Sequence, residues 1–254
     1  SFTRPPVRKL DIHLLPHSHV DIGYTALQPD VERKQNDNLD LALKLIRATA
    51  DYPAGARFKW NVEVLWPVEN YLRSATPEQR EAFRAAVQTG KVGLDALYGN
   101  LLTGLCRPEE FIRAFRYATR LSGEYGVKVD SAMISDVPGY TWSTVPVMNH
   151  AGVRYFSFAP NYFDRMGGTM VTWQNKPFWW LGPNSNDKVL TWVLGTGYST
   201  FLNLGDPSAT ESYLRNYLRQ LAERKYPYDV VQMMFTTGGD NGPPDRRLSD
   251  FVRS

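Results

Sequence analysis

The sequence predicts an α/β fold, a parallel β/α barrel occupying residues 1–254 as one catalytic-sized domain. Three observations carry that expectation. Strand-like and helix-like segments alternate almost throughout the chain. Polar clusters stand at the ends of three strand-like segments, where parallel α/β folds gather their chemistry. The main rival, an open doubly wound sheet, usually carries a glycine-rich phosphate turn after its first strand, and here Gly23 stands alone. A length of 254 residues suits a barrel of about seven or eight strands and a sizeable core.

In chain order, residues 9–16 place Leu10, Ile12 and Leu14 at the two-residue period of a strand. Residues 29–52 carry Val31, Leu39, Leu41, Leu43, Leu45 and Ile46, a helix whose apolar face is clearest in its second half. A second strand is expected over 57–62 and a helix over 65–74. Thr76-Pro77-Glu78 then opens another helix, with Thr as cap and Pro in the first turn; Gly90 ends it before a third strand over 91–96. Residues 108–125 read as one helix through Phe111, Ile112, Phe115 and Leu121, followed by a fourth strand over 129–135. A helix near 143–151 and a fifth strand over 154–159 come next. A Gly- and Asn-rich passage, 160–188, contains Phe178-Trp179-Trp180 and reads as a connection to a strand over 189–194. Residues 211–224 are expected to be helical, 230–235 to form the last strand, and 245–253 to start a further helix.

Bulk properties narrow the function. A hydrophobic content of 43% against 22% charged residues describes a soluble globular protein. The net charge of +3 is small and no Lys/Arg cluster interleaves with aromatics, so no nucleic-acid partner is expected. No apolar run is long enough to span a bilayer, and the N-terminal SFTRPPVRKL lacks a signal-peptide core; the compartment stays open between cytoplasm and export. The single cysteine, Cys106, excludes an internal disulfide and a cysteine-built zinc site. The 7 Trp, 14 Tyr and 12 Phe suit a sugar-binding cleft and a large core equally.

The chemistry concentrates in LLPHSHVDIGYT, residues 14–25. Side chains alternate along a strand, so His17, His19 and Asp21 can project to one side where the first strand ends. Imidazole with carboxylate is a zinc-binding chemistry. Asp136, in DVPG, and Asp240, in GGDNG, follow two other strands, so the three clusters can converge. Each Asp also sits in turn-forming sequence, and a single Asp after a strand is most often a turn former or helix cap. His150 reads as a cap or surface residue, Trp60 as core, and Glu63 as the start of a helix.

Together these stretches resemble the N-terminal catalytic domain of glycoside hydrolase family 38, the retaining α-mannosidases. HSHVDIGYT, ISDVPGYTW and GGDN carry the likeness, and WNVEVLWPVENYL, TPEQREAF, GKVGLDA and HAGVRYFSFAPNYFDR extend it over nearly the whole chain. The resemblance implies a seven-stranded β/α barrel. It implies one zinc ion, or another divalent metal, held by His19, Asp21 and Asp136, with Asp136 also the nucleophile and Asp240 the acid/base. Asn241 departs from the family, which has an aromatic or an acid after that carboxylate. Tyr24 takes the place of the aromatic under the bound sugar, and Tyr140, Trp142, Asn161 and Tyr198 are further substrate-binding candidates. No His follows His150 to supply the family's fourth ligand, and its C-terminal β-rich domains are missing, so a chain truncated at its C-terminal end is expected. The implied reaction is retaining hydrolysis of a mannose-containing glycan by two carboxyls roughly 5–5.5 Å apart. A metal-dependent polysaccharide deacetylase and a non-catalytic carbohydrate-binding domain are the alternatives, and an oligomer is left open.

Overall fold

The computed structural model describes residues 8–161, 173, 175–184, 186–200 and 202–254. Its strands are β1 (Asp11–Pro16), β2 (Trp60–Val62), β3 (Val92–Leu94), β4 (Ser131–Ser135), β5 (Tyr155–Ala159), β6 (Pro177–Leu181), β7 (Lys188–Val193) and β8 (Val230–Phe235). The helices are α1 (Gln28–Ala48), α2 (Trp66–Ser74), α3 (Pro77–Gln88), α4 (Pro108–Arg113), α5 (Arg116–Tyr125), α6 (Thr144–His150), α7 (Pro207–Glu223) and α8 (Arg247–Arg253).

The expected strand–helix alternation is present, but among the described residues the strands do not close into the expected seven-stranded barrel. The described strands form three separate sheets, in the orders β1-β8, β2-β3 and β4-β5-β7-β6. Every pairing is parallel except β6 with β7. Two features break the ring. β6 lies antiparallel along the edge of β7, Trp179 opposite Leu190, and so occupies the edge that a next parallel strand would need. β2 and β3 are only three residues long, and their outer edges reach their neighbours through isolated links: a bridge between His17 and Asn61, and Ala96 N donating to Ser131 O at 2.8 Å. Beyond β7, Thr200 N donates to Met234 O in β8, and the Ser199 and Thr236 hydroxyls meet beside it.

Local sequence explains most element ends. Thr76 and Gln79 exchange side-chain and backbone hydrogen bonds in a capping box that starts α3. The segment 108–125 is two helices rather than one, because the chain tightens at Ala114–Phe115, where Phe115 N bonds back three residues to Ile112 O. α7 begins earlier than its apolar pattern, at Pro207, because the Asp206 side chain accepts from Ala209 N and caps it. The aromatic run Phe178-Trp179-Trp180 is a strand with Phe178 and Trp180 packed on the core and Trp179 half-exposed, a two-residue alternation hidden by three consecutive rings.

The main core lies between the strands and the helices, and joins Leu39, Phe83, Leu121, Ile134 and Phe156. A second cluster of Met133, Ala159, Leu194 and Met234 sits where the four-stranded sheet faces β8. Together they hold the C-terminal ends of β1, β4 and β8 within reach of one another.

Candidate active site

β1 runs into Pro16-His17-Ser18-His19, and both imidazoles are enclosed, His17 at 0% and His19 at 3% exposure. The group facing them is Glu63, from the turn between β2 and α2, at 1% exposure. Its Oε1 accepts from His19 Nδ1 at 3.1 Å, and its Oε2 accepts from Val20 N at 2.9 Å. His17 Nδ1 lies 3.8 Å from the same Oε2, while His17 Nε2 bonds the Tyr198 carbonyl at 2.8 Å. Burial opposes a charge on either partner, and their mutual attraction outweighs it. Glu63 is held well below the usual carboxylate range by His19 and His17, and His19 is held up at about 9 by Glu63, with Asp240 and Asp136 adding to it.

With Nδ1 committed to Glu63, His19 turns Nε2 toward Asp136, whose Oδ2 is 3.8 Å away. Asp136 follows β4 in the left-handed region, φ 56°, a strained conformation for a residue with a Cβ. Asp136 N donates to Ala159 O at 3.0 Å, and the Ser135 N–H is taken by Asn100 Oδ1 at 3.1 Å. The other carboxylate oxygen, Oδ1, accepts from Asn161 Nδ2. Its two oxygens thus have different neighbours: an imidazole on one side, an amide on the other.

Asp240 sits in the turn after β8, where Gly238, Gly239 and Asn241 all have positive φ. Its carboxyl lies above its ordinary range. Burial pushes it up, His19 opposes that, and the carboxyls of Asp21, Asp136 and Glu63 add to it. Asp21 and Asp136 face a cavity of about 520 Å³ together with His19, whose walls include Val64, Trp66 and Leu101.

The other predicted positions divide. Tyr198 packs its ring on His19, 4.7 Å between centroids. Asn161 touches Asp136 as described. Trp142 is 58% exposed and donates its indole N–H to Leu181 O at 2.6 Å, away from the cavity lining. Tyr24 is 90% exposed on the loop after β1. Tyr140 packs against Phe156 and Phe158, as a core residue. His150 ends α6 at the surface. Of the stretch 150–165, residues 162–165 lie outside the described residues.

The donor types suit zinc, and the Glu63–His19 contact is the carboxylate–histidine pairing that orients a metal-binding imidazole. Two donors, His19 Nε2 and Asp136 Oδ2, face each other. Among the described residues, however, no three His, Cys, Asp or Glu side chains gather closely enough to hold an ion. The fit is therefore partial.

Glu63, Asn100 and the amide of Asn161 are the groups whose positioning role the residue pattern hides. A lone Glu before a helix looks like a first-turn acid. The signal lay in strand parity: His17 bridges Asn61, and Glu63 stands two residues further on the same face.

Comparison with curated proteins finds no match. Among solved structures, an α-mannosidase from Enterococcus faecalis V583 superposes with a TM-score of 0.76 at 21% identity, over 96% of this chain and 27% of that one. A protein in the glycosyl hydrolase family 38 from Enterococcus faecalis gives 0.65 at 19% identity, over 90% of this chain and 24% of that one. A 4-α-glucanotransferase from Thermococcus litoralis gives 0.54 at 10% identity, over 96% of this chain and 35% of that one. The chain thus spans about a quarter of the length of the first two. The profile of the glycosyl hydrolases family 38 N-terminal domain matches residues 9–254. With that match over nearly its whole length, the chain belongs to glycosyl hydrolase family 38, as an N-terminal domain.

Proposed function

We propose that the site hydrolyses α-mannosides, or closely related glycans, with retention of configuration. Asp136 serves as nucleophile and Asp240 as acid/base. The observation that carries the reading is the meeting of three strand ends at His19: Asp136 Oδ2 lies 3.8 Å from its Nε2, and the turn bearing Asp240 is tied to its carbonyl through Asn241 N at 2.8 Å, with the two carboxyls in unlike surroundings. Unlike environments are what a two-carboxylate reaction needs. Asp136, with Asn161 on Oδ1, keeps an oxygen oriented for attack on the anomeric carbon, forming a glycosyl ester as the leaving oxygen takes the proton of Asp240. Asp240 then draws the proton from water, and that water breaks the ester. Burial and the neighbouring acids favour the protonated Asp240 that the first step requires.

A zinc ion, or another divalent ion, is proposed at His19 and Asp136, with Asp21 as the third donor. When bound it would hold sugar hydroxyls and stabilise developing charge. Tyr198 and Asn161 bound the sugar from the protein side, and Tyr24, on the loop after β1, supplies outer aromatic surface.

Hydrolysis of p-nitrophenyl α-mannoside tests the reading. Turnover that is lost in Asp136→Ala, falls on chelation and returns with added zinc is the expected result. A second reading, sugar binding without turnover, is favoured by one observation: the three proposed donors are not gathered. Calorimetric binding of mannose with no hydrolysis and no metal in the protein would decide for it.

A further inference from the structure

The residue after Asp240 has no part in the chemistry proposed above, yet it is among the most heavily hydrogen-bonded side chains near the site. Asn241 is 5% exposed and left-handed, φ 57°. Its Nδ2 donates to Asp21 O at 2.9 Å and to Thr25 Oγ1 at 3.1 Å. Its Oδ1 accepts from Gln35 Nε2 at 2.9 Å and, at 3.4 Å, from Asp21 N. Its backbone N–H donates to His19 O at 2.8 Å, and its carbonyl accepts from Asn38 Nδ2 at 3.3 Å. One short amide thus ties three pieces of chain: the loop after β1, the turn after β8, and α1.

We infer that Asn241 is a positioning residue that fixes Asp240 against the His19–Asp21 loop and so sets the acid/base in line with the leaving oxygen. The argument is geometric. Asp240 and Asn241 share a peptide bond, and both the backbone and the side chain of Asn241 are bonded to residues 19–25. The backbone of Asp240 therefore cannot shift relative to His19 or Asp21 without breaking several hydrogen bonds at once, which leaves its carboxyl only the rotations of a short side chain. The residue type follows from the same geometry. Asn is one of the few side chains that tolerate the left-handed region, and it alone offers both donor and acceptor at that length. An aromatic or an acid at this position has no N–H to give to Asp21 O. Proton donation is sensitive to such placement, since a displacement on the order of 1 Å costs about 10²-fold.

This inference rests on the proposed glycosidase reading, and leaving-group dependence separates the two. Activated dinitrophenyl α-mannoside needs little help from an acid, whereas methyl α-mannoside or a mannose disaccharide needs a proton on the leaving oxygen. Asn241→Gly keeps the left-handed backbone and removes every side-chain bond. Asn241→Asp keeps shape and acceptors but loses the donor, and serves if the Gly variant is poorly folded; far-UV circular dichroism checks both. The expected result is that kcat/KM falls by about 10²-fold on the poor leaving group and by only a few-fold on the dinitrophenyl substrate, following Asp240→Asn in pattern. In the Asp240→Asn background, Asn241→Gly should then add almost nothing. Equal losses on both substrates, or wild-type rates on both, would overturn the positioning role while leaving Asp240 as the acid. A wild-type protein inert on both substrates, or an Asp240→Asn variant with no leaving-group dependence, would overturn the underlying reading and this inference with it.

Discussion

Glu63 shows how much one buried carboxylate can organise. It accepts hydrogen bonds from His19 and Val20, receives Asn100 Nδ2 at 3.4 Å, and faces His17, all at 1% exposure. Removing its charge takes the principal counter-ion from buried His19, a loss that typically costs about 3–5 kcal/mol. Glu63→Gln is therefore expected to lower stability by that order in denaturant unfolding. It should also bring the His19 titration, followed by NMR in metal-free protein, down from about 9. The pH dependence has two limbs. Glu63 is depressed from 4.5, so its contribution is present above that pH and is lost as pH falls. His19 is raised from 6.5 to about 9, so its contribution is complete below 6.5 and is lost as pH rises through 9. The pair thus stabilises most between 4.5 and 6.5, and the Gln variant should show neither limb.

At the scale of elements, the turn after β8 and the join after β3 make separate demands. A Cβ at Gly242 would lie 1.6 Å from Thr237 O, so the turn that carries Asp240 cannot close around a side chain. Gly242→Ala should lower Tm, with a cost of at least about 1–3 kcal/mol, and should reduce hydrolysis even where the protein still folds. After β3, Asp95 N bonds Val62 O at 3.1 Å, and the neighbouring Ala96 N bonds Ser131 O at the start of β4. Burial raises the Asp95 carboxyl from 3.8 to about 7; a hydrogen bond with Ser131 opposes this and Glu63 adds to it. The folded chain therefore keeps this proton where the unfolded chain has lost it, so stability is full below 3.8 and declines as pH rises to about 7. Asp95→Asn should flatten that decline and raise Tm at pH 8 relative to wild type, as measured by calorimetry across the pH range.

Across the whole molecule, the alternation of strand and helix was legible because each element buries one face, and burial writes its period into the sequence. Val230–Phe235 and Ser131–Ser135 are examples, since both lie deep and read as apolar runs. Closure was not legible. It depends on which edges pair, and nothing in Pro177–Leu181 announces that this strand would run antiparallel along β7 and take its edge. The candidate site divides in the same way. His19, Asp136 and Asp240 could be found because strand ends in parallel folds carry chemistry. Asn100 and Gln35 could not, and Glu63 only through strand parity, because a positioning group is recognised by its partners and those lie 35, 206 and 37 residues away in sequence. Asn241 was visible only as a departure from its family's pattern.

The central claim is that Asp136 attacks the sugar. It is tested most directly by incubating the protein with an activated fluoro-mannosyl fluoride, which forms its glycosyl ester quickly and releases it slowly, and then locating the label by peptide mass spectrometry. One fluoroglycosyl group on the Asp136 carboxylate, absent in Asp136→Asn, is the expected result. Label on a different carboxylate, or undiminished turnover of α-mannosides by Asp136→Ala, would contradict it.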